Sequence, residues 1–300
     1  AAKSMKSVVF VETIVVEQEV KENEGAQTEF DRFLEMFGYD FFMPYTPPVG
    51  TGSGVILKKD LVLTNYHVVS SVAEFNYNVK VYFDDDSKQP KMASLLGYDQ
   101  KLDLALIKVD TGSCPKIEIG DSDKLVMGEL VLALGAPIGS RSSVSMGVFG
   151  GKKMIPWGSD LDQRLNEVLQ TDADMMSGNS GGPLVDIDGK LVGINTFVRA
   201  DSQTGGTLGF AIPISKAMKY INELEKNNKV VRIMIGISLD QTLGMVTSIT
   251  ETGGSFGKLE KNDIILKVGE VLVRPMTNDI MLNLKKGDNK LTIKRGEKEM

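Results

Sequence analysis

Short apolar runs separated by turn-forming residues recur along most of the chain. Between residues 50 and 110 they alternate with polar positions or run continuously, and no long helical pattern interrupts them. Residues 54–57 and 61–63 are close enough to form a hairpin, and residues 7–16 are similarly rich in β-branched side chains. This spacing is typical of antiparallel barrels, so we expect a mostly β fold.

The first long helical pattern comes late, at residues 214–228. Ala217, Ile221 and Leu224 fall on one face of a helix, and Ser215 is placed as its N-cap. We expect this helix to link two domains. Beyond it, residues 245–249, 263–268 and 290–294 have the pattern of strands, and residues 278–284 that of a short helix. A small α+β domain is therefore expected at residues 229–300, and a β-rich domain used only for packing is the alternative.

Residues 22–49 interrupt the strand pattern. Phe30, Phe33, Leu34 and Phe37 would share one face of a short helix, and an aromatic, proline-rich stretch follows at residues 41–48. Two interpretations compete: a segment packed permanently on its own barrel, and a lid over the active site or a contact with a neighbouring subunit. Because exposed aromatic surface usually meets a partner, we favour the second.

Composition limits the classes of function. A length of 300 residues suggests two domains. The net charge is -6, so the acidic chain is a poor candidate for binding nucleic acid. Its one cysteine, Cys114, excludes an intramolecular disulfide, which is compatible with the cytosol or a bacterial periplasm. No apolar run reaches the roughly 18–20 residues needed to span a bilayer, and no signal peptide is visible.

The strongest chemical signal is the serine in residues 177–184, SGNSGGPL. Glycine neighbours allow a sharp turn that exposes the hydroxyl of Ser180. The N–H groups of Gly178 and Ser180 are spaced to stabilise a developing oxyanion. A glycine-rich hairpin without catalytic function would also fit this stretch. The catalytic interpretation therefore depends on whether the chain also supplies a base and an acid.

A base and an acid are both available. His67 is the only histidine in the chain and follows an apolar run, and Asp103 opens the strand-like run LDLALI. A serine nucleophile needs such a base, and the base needs a carboxylate to hold its tautomer. The order His67, Asp103, Ser180, each in a distinctive context, favours a serine hydrolase over a structural histidine and a strand-capping aspartate.

These motifs resemble the HtrA (Deg) family of trypsin-like serine proteases. The matching stretches are residues 52–56, 64–69, 103–108, 135–139, 169–173, 178–184, 193–196 and 209–213. They occur in family order between about residues 50 and 225. The resemblance implies a trypsin-like pair of six-stranded antiparallel β-barrels over residues 1–225, followed by a small α+β PDZ-like domain over residues 229–300. It also implies that residues 22–49 are a regulatory insert of the LA type and that residues 214–228 are the linking helix.

The resemblance implies an endopeptidase that degrades unfolded or damaged proteins in the cell envelope. His67, Asp103 and Ser180 would be the triad, with the oxyanion hole at the N–H groups of Gly178 and Ser180. No metal and no organic cofactor is implied. The implied assembly is a homotrimer or higher oligomer, to which Phe10 is a candidate contributor. A chaperone or peptide-sensing protein with latent proteolysis is the alternative function.

The substrate and peptide sites follow only from the resemblance. It places the substrate pocket at Asp174, Asn195, Thr196 and Phe197. Asp174 departs from the family, in which many members carry alanine; a carboxylate there could attract a basic side chain, although the family implies aliphatic residues before the cut.

The PDZ-like domain is expected to bind peptide C-termini. The resemblance places its carboxylate-binding loop at Ile235, Gly236 and Ile237. In such domains the bound peptide pairs with a sheet edge as an added strand.

Overall fold

The fold is described by a computed structural model. It describes residues 1–15, 49–75, 77–83, 89–136, 143–156, 165–176, 178–200, 207–230, 235–240, 243–273, 280, 284 and 287–300. Apart from its last residue, the predicted insert at 22–49 lies outside the described residues.

Six antiparallel strands form the first closed barrel, in the hydrogen-bonded order β1-β2-β3-β6-β5-β4. They are β1 (Val8–Ile14), β2 (Thr51–Lys58), β3 (Leu61–Thr64), β4 (Asn78–Phe83), β5 (Lys91–Asp99) and β6 (Leu104–Lys108). The runs at residues 54–57 and 61–63 pair as a hairpin, with Val55 opposite Leu63.

Six more antiparallel strands close a second barrel, in the order β10-β11-β12-β9-β8-β7. They are β7 (Leu130–Gly135), β8 (Ser143–Pro156), β9 (Leu165–Thr171), β10 (Pro183–Asp186), β11 (Leu191–Ala200) and β12 (Thr207–Pro213). The predicted pair of six-stranded barrels is thereby confirmed.

Alternating side chains fill the two barrels. In the first, Val11, Val62 and Ile107 belong to one buried cluster, and in the second Leu169 and Leu184 belong to another. Successive residues of a strand point to opposite faces, so each apolar alternation supplies one inward-facing row. The apolar positions that alternate in the sequence are therefore the positions whose side chains are buried in the barrels.

Three α-helices are described: α1 (Ala2–Met5), α2 (Tyr66–Phe75) and α3 (Ile214–Asn227). Helix α2 corrects the expectation that residues 50–110 contain no long helix; it buries Val68 and Val69, and β-branched residues such as these have no strong preference for helix. No helix in the described ranges is long and apolar enough to cross a membrane.

The cap of α3 also differs from expectation. Pro213, not Ser215, is the N-cap residue, and Ser215 lies inside the first turn. The N–H of Ser215 donates to Oγ of Ser122, 3.1 Å away. A hydroxyl from a distant segment thus satisfies a first-turn N–H group that a capping side chain would otherwise bind.

The chain divides into two compact units. The first contains Ala1–Lys153 and Glu167–Val230, and the second contains Met154–Asn166 and Val231–Met300. The second unit has a two-stranded sheet, β13 (Ile237–Leu239) with β14 (Val246–Ile249), and a four-stranded sheet. The latter has the order β16-β15-β17-β18, with β15 (Ile264–Val268), β16 (Val271–Leu272), β17 (Leu291–Arg295) and β18 (Lys298–Glu299). Of the predicted helix at 278–284, only Ile280 and Leu284 are described, and both are buried in this unit's core.

A buried ion pair joins β15 to β17 in the second unit. Nε and Nη2 of Arg295 each lie 2.7 Å from a carboxylate oxygen of Asp263, which is 1% exposed. The N–H of Glu260 donates to the same carboxylate at 2.8 Å. The Arg295 guanidinium holds the pKa of the Asp263 carboxyl below its ordinary value.

Arg295→Met should therefore destabilise the second unit in a pH-dependent way. We expect its free energy of unfolding to fall more at pH 7 than at low pH, since Asp263 stays buried without its charged donor. Because the folded pKa is depressed, the pair stabilises the fold above the unfolded pKa of about 3.9 and ceases to do so as pH falls through the lower folded value. Urea titrations read by hydrogen exchange of peptides from residues 243–300, at pH 7 and pH 2.5, measure the difference.

Lys298→Met is the matched control, because Lys298 is an exposed cation on the neighbouring strand. Its effect should stay below about 0.5 kcal/mol at both pH values. An equal loss for Arg295→Met at pH 7 and pH 2.5 would show that packing, not the ion pair, stabilises this unit.

Candidate active site

The imidazole of His67 faces the carboxylate of Asp103. His67 lies in the first turn of α2, and its Nδ1 is 2.9 Å from Oδ2 and 3.1 Å from Oδ1 of Asp103. The main-chain N–H of His67 donates to the same Oδ1 at 3.0 Å. An ionised carboxylate only accepts, so Nδ1 carries the proton and Nε2 remains available as a base.

Asp103 is held from several sides and is 3% exposed. It ends a 3₁₀ turn (Gln100–Leu102) with a φ of 51°, in the left-handed region that aspartate tolerates better than most side chains. Nδ2 of Asn65 donates to its carbonyl oxygen at 3.0 Å. The hydroxyl of Thr196 donates to its Oδ2 at 2.6 Å. The carboxylate therefore has a fixed position and a second donor besides His67.

Thr196 also contacts the serine. Oγ of Ser180 donates to the main-chain oxygen of Thr196 at 3.1 Å. A Cβ built on Gly52 would lie 2.8 Å from the Ser180 oxygen and 2.7 Å from Cγ2 of Val68, the residue after His67. Gly52 thus allows the main chain of Ser180 to approach the start of α2. The fold brings the three predicted triad residues to one place, where the two barrels meet.

The turn that carries Ser180 exposes two donors. Gly178 has a φ of 99°, which favours glycine, and the N–H of Asn179 closes the turn on the Met176 oxygen at 3.0 Å. Among the described residues, no hydrogen bond uses the N–H groups of Gly178 and Ser180. The oxyanion hole at these two N–H groups stays a prediction, and no internal hydrogen bond among the described residues competes with it.

The predicted pocket residues have different surroundings. Asn195 is 1% exposed; its N–H and carbonyl bond to Gly182 and Gly181, and its Nδ2 donates to two further main-chain oxygens. Asn195 thus supports the main chain of the nucleophile turn. The hydroxyl of Thr196, also 1% exposed, bonds to Asp103. The assignment of both residues to the substrate pocket stays a prediction.

Phe197 and Asp174 remain as candidates near the site. The ring of Phe197 stacks on that of Phe210, with centroids 4.9 Å apart. Asp174 is exposed, and its main-chain oxygen accepts a hydrogen bond from the Ser145 hydroxyl. The adjacent Met175 is buried, with its sulfur 2.9 Å from a Cβ built on Gly209.

Two hydrogen bonds near the site have no signal in the sequence. They are the bond from Thr196 to Asp103 and one made by Ser53. Oγ of Ser53 donates to the Gly178 oxygen at 2.6 Å, although the two residues are 125 positions apart. No local pattern indicates such a contact, because it depends on how the barrels pack.

The predicted peptide-binding residues lie at the start of the second unit's two-stranded sheet. Gly236 has a φ of 73° and its oxygen accepts from the N–H of Thr250 at 2.7 Å, while Ile237 begins β13. The oxygen of Ile235 accepts from the N–H of Ser255 at 3.1 Å. Within the described residues, β13 pairs with β14 only, so its other edge has no strand beside it.

Comparisons with known proteins agree with this geometry. Residues 52–194 match the family described as trypsin-like peptidase domain. The chain is 33% identical over 252 residues to a probable periplasmic serine endoprotease DegP-like of Rickettsia prowazekii, an alignment that covers 77% of this chain and 47% of that protein. It is 37% identical over 236 residues to the protein of the same name from Pseudomonas putida, covering 72% and 47%. The chain spans about half the length of these curated relatives.

Solved structures share the fold. The HtrA-type protease AlgW with tripeptide has a TM-score of 0.74 at 24% identity, covering all of this chain and 92% of that one. The serine endoprotease from Yersinia pestis has a TM-score of 0.67 at 25% identity, covering 100% and 93%. The crystal structure of Deg5 has a TM-score of 0.56 at 28% identity, covering 76% and 93%.

Proposed function

This chain belongs to the HtrA family of trypsin-like serine proteases, and from that membership we propose that it is a serine endopeptidase that degrades unfolded or damaged proteins in the cell envelope. The observation that carries the proposal is a set of three linked hydrogen bonds. His67 bonds to the carboxylate of Asp103, the Thr196 hydroxyl donates to the same carboxylate, and the Ser180 hydroxyl donates to the Thr196 main-chain oxygen.

Each residue has a defined step in the proposed reaction. Nε2 of His67 takes the proton of the Ser180 hydroxyl as Oγ attacks the scissile carbonyl. The N–H groups of Gly178 and Ser180 stabilise the oxyanion. His67 then protonates the leaving amine, and it later activates the water that hydrolyses the acyl-enzyme. Asp103 holds the tautomer of His67 and stabilises its charged form.

The pairing of β11 suggests how the substrate binds. Strand β10 pairs with β11 only as far as Ile194, whereas β12 follows the opposite edge to Ala200. We expect an extended peptide to add as a strand beyond that point, beside Ser180, which requires an unfolded segment.

The residue before the cut is expected to be small or medium aliphatic. That expectation rests on the family, and the exposure of Asp174 supports it, because an exposed carboxylate attracts a cation less strongly than one at the base of a pocket. Cuts after aliphatic residues would agree with this; cuts after lysine or arginine would instead assign Asp174 to the pocket.

Covalent labelling tests the proposed activity directly. A fluorophosphonate should modify one serine, and mass spectrometry of the digest should locate it in the peptide containing Ser180. The same protein should cut unfolded casein, and the products give the cleavage specificity. Labelling elsewhere, or cleavage that persists in fully labelled protein, would contradict the proposal.

We propose that the second unit binds peptide C-termini at Ile235, Gly236 and Ile237. The unpaired edge of β13 and the positive φ of Gly236 support this, because a peptide strand needs a free edge and its carboxylate needs exposed N–H groups. Peptides with a free C-terminus should bind at least about tenfold more tightly than the same peptides amidated, since one charged hydrogen-bonding group is lost. Calorimetric titration of a peptide panel measures this, and equal affinity for both forms would contradict it.

The proposed assembly and compartment have different sources. The homotrimer or higher oligomer is expected from the family resemblance alone, and a location outside the cytoplasm from curated relatives that are named periplasmic. Phe10, the candidate for the subunit contact, is partly buried and packs on Tyr82 of its own chain, with ring centroids 5.4 Å apart. Light scattering that finds only monomer would dismiss the trimer.

A further inference from the structure

The hydroxyl of Ser53 joins three segments of the first unit. Ser53 lies on β2 and is 0% exposed. Its Oγ donates to the Gly178 oxygen at 2.6 Å and accepts from the N–H of Ala136 at 2.8 Å. Its main-chain N–H donates to the Ser180 oxygen at 2.7 Å. Strand β2, the end of β7 and the nucleophile turn therefore meet at one side chain.

These bonds fix the peptide group between Gly178 and Asn179. Ser53 holds its carbonyl oxygen, and the Met176 oxygen accepts from its N–H at 3.0 Å. Gly178 has no Cβ and a φ of 99°, so nothing intrinsic to this residue prevents the peptide from rotating. The orientation must come from the two hydrogen bonds, and only one of them comes from a side chain.

That peptide group lies between the two oxyanion donors. The N–H of Gly178 precedes it and the N–H of Ser180 follows it, so any change in the dihedral angles of Gly178 or Asn179 that the adjacent angle does not compensate would redirect one donor relative to the other. Oxyanion donors work because they already point at the position of the developing charge. Losing the Ser53 hydroxyl would also leave a carbonyl and an N–H without their partner in a buried place.

We propose that Ser53 is a positioning residue that fixes the oxyanion donors of Gly178 and Ser180. This inference rests on the proposed protease function and deepens it. Ser53 touches neither substrate nor the reacting atoms; it acts through the Gly178 carbonyl. Its bond to Ala136 also ties the orientation of the donors to the end of β7.

Ser53→Ala tests the proposal. We expect kcat for a short peptide substrate to fall about 10- to 100-fold, less than the 10²–10³ lost when a donor is removed outright. KM should change less than about threefold, because the hole acts mainly on the transition state. The inhibition constant of a peptide aldehyde, whose adduct places an oxyanion in the hole, should weaken by the same factor as kcat.

Ser71→Ala is the matched control. Ser71 is also buried, and its Oγ donates to the Thr13 hydroxyl at 2.9 Å, away from the nucleophile turn. It should lower the melting temperature as Ser53→Ala does but keep kcat within about twofold of wild type, since only a structural hydrogen bond is lost. If the two variants lose kcat equally, the effect of Ser53 is general destabilisation and the proposal is wrong.

Ser53→Cys keeps the test valid if the alanine variant does not fold. The thiol keeps a hydrogen-bonding group in place of the hydroxyl but is larger and a weaker donor, so kcat should again fall with KM nearly unchanged. Wild-type kcat in either folded variant would overturn the positioning role. That outcome differs from failure of the proposed function, in which wild type itself cuts nothing and takes up no fluorophosphonate.

Discussion

Ser180→Ala should lower kcat for cleavage of unfolded casein by at least about 10⁴-fold, to the detection limit of the assay, because no other group replaces the attacking oxygen. Folding should be retained, since the only side-chain bond lost is the one from Oγ to the Thr196 oxygen. Digestion of casein by wild type and variant in parallel over a range of temperatures, scored by mass spectrometry of the products, measures the effect.

Ser94→Ala provides the control, because Ser94 is an exposed serine on β5. It should cut at the wild-type rate. Substantial turnover by Ser180→Ala would remove this serine from the mechanism, and with it the protease assignment.

The same variant separates cutting from holding. If the protein also acts as a chaperone, Ser180→Ala should still suppress aggregation of a heated client, since the surfaces outside the serine hydroxyl are unchanged. A variant that neither cuts nor holds a client would refute the chaperone alternative and leave proteolysis as the function.

Asp103→Asn should lower kcat by about 10⁴-fold, the loss typical of this change in a serine protease triad. The carboxylate accepts from both His67 Nδ1 and the Thr196 hydroxyl. Both bonds use Oδ2, while Oδ1 accepts from the main-chain N–H of His67. An amide has only one acceptor oxygen, and if that oxygen stays with the main-chain N–H, the NH₂ group takes the place of Oδ2 and faces Nδ1. If His67 meets the NH₂ group, its Nδ1 must accept, and Nε2 then carries the proton and is no longer a base.

Asp99→Asn is the control for this change. Asp99 is also buried, and its Oδ1 accepts from the Leu102 N–H at 2.8 Å, a bond that an amide oxygen can replace. Its kcat should stay within about tenfold of wild type, because the hydrogen bond to Leu102 is kept and neither the nucleophile nor the base is changed. A variant of Asp103 with nearly normal kcat would mean that His67 is oriented by other groups.

Fluorophosphonate labelling of Ser180→Ala and Asp103→Asn distinguishes the roles of these two residues. Ser180 supplies the attacking atom, whereas Asp103 acts through His67, so fluorophosphonate labelling should vanish in the first and slow strongly in the second. Equal, unimpaired labelling in both would show that the reagent reports a different serine.

The sequence was sufficient for much of the architecture. Apolar alternation predicted most strands, since burial on one face of a barrel imposes a period of two on the chain. Residues 7–16 and 191–195, for instance, contain β1 and the first half of β11. Where burial did not distinguish strand from helix, the prediction was wrong: the valines of α2 suited either structure.

The candidate reactive residues of the site were likewise recognisable from local motifs. Ser180 could be recognised because glycines on both sides are needed for the turn and its exposed N–H groups. His67 is the only histidine, which removed any choice of base. These inferences use neighbouring residues, whose relative positions the covalent chain fixes.

Contacts between distant segments were decided only by the tertiary structure. Thr196 reaches Asp103 across 93 positions, and Ser53 reaches Gly178 across 125. Serine and threonine form such bonds wherever a partner is near, so their own sequence context does not identify the partner. The sequence by itself determined the barrels and the three reactive groups; the packing of the barrels determined which hydroxyls orient those groups, because that depends on how strands far apart in the chain approach one another.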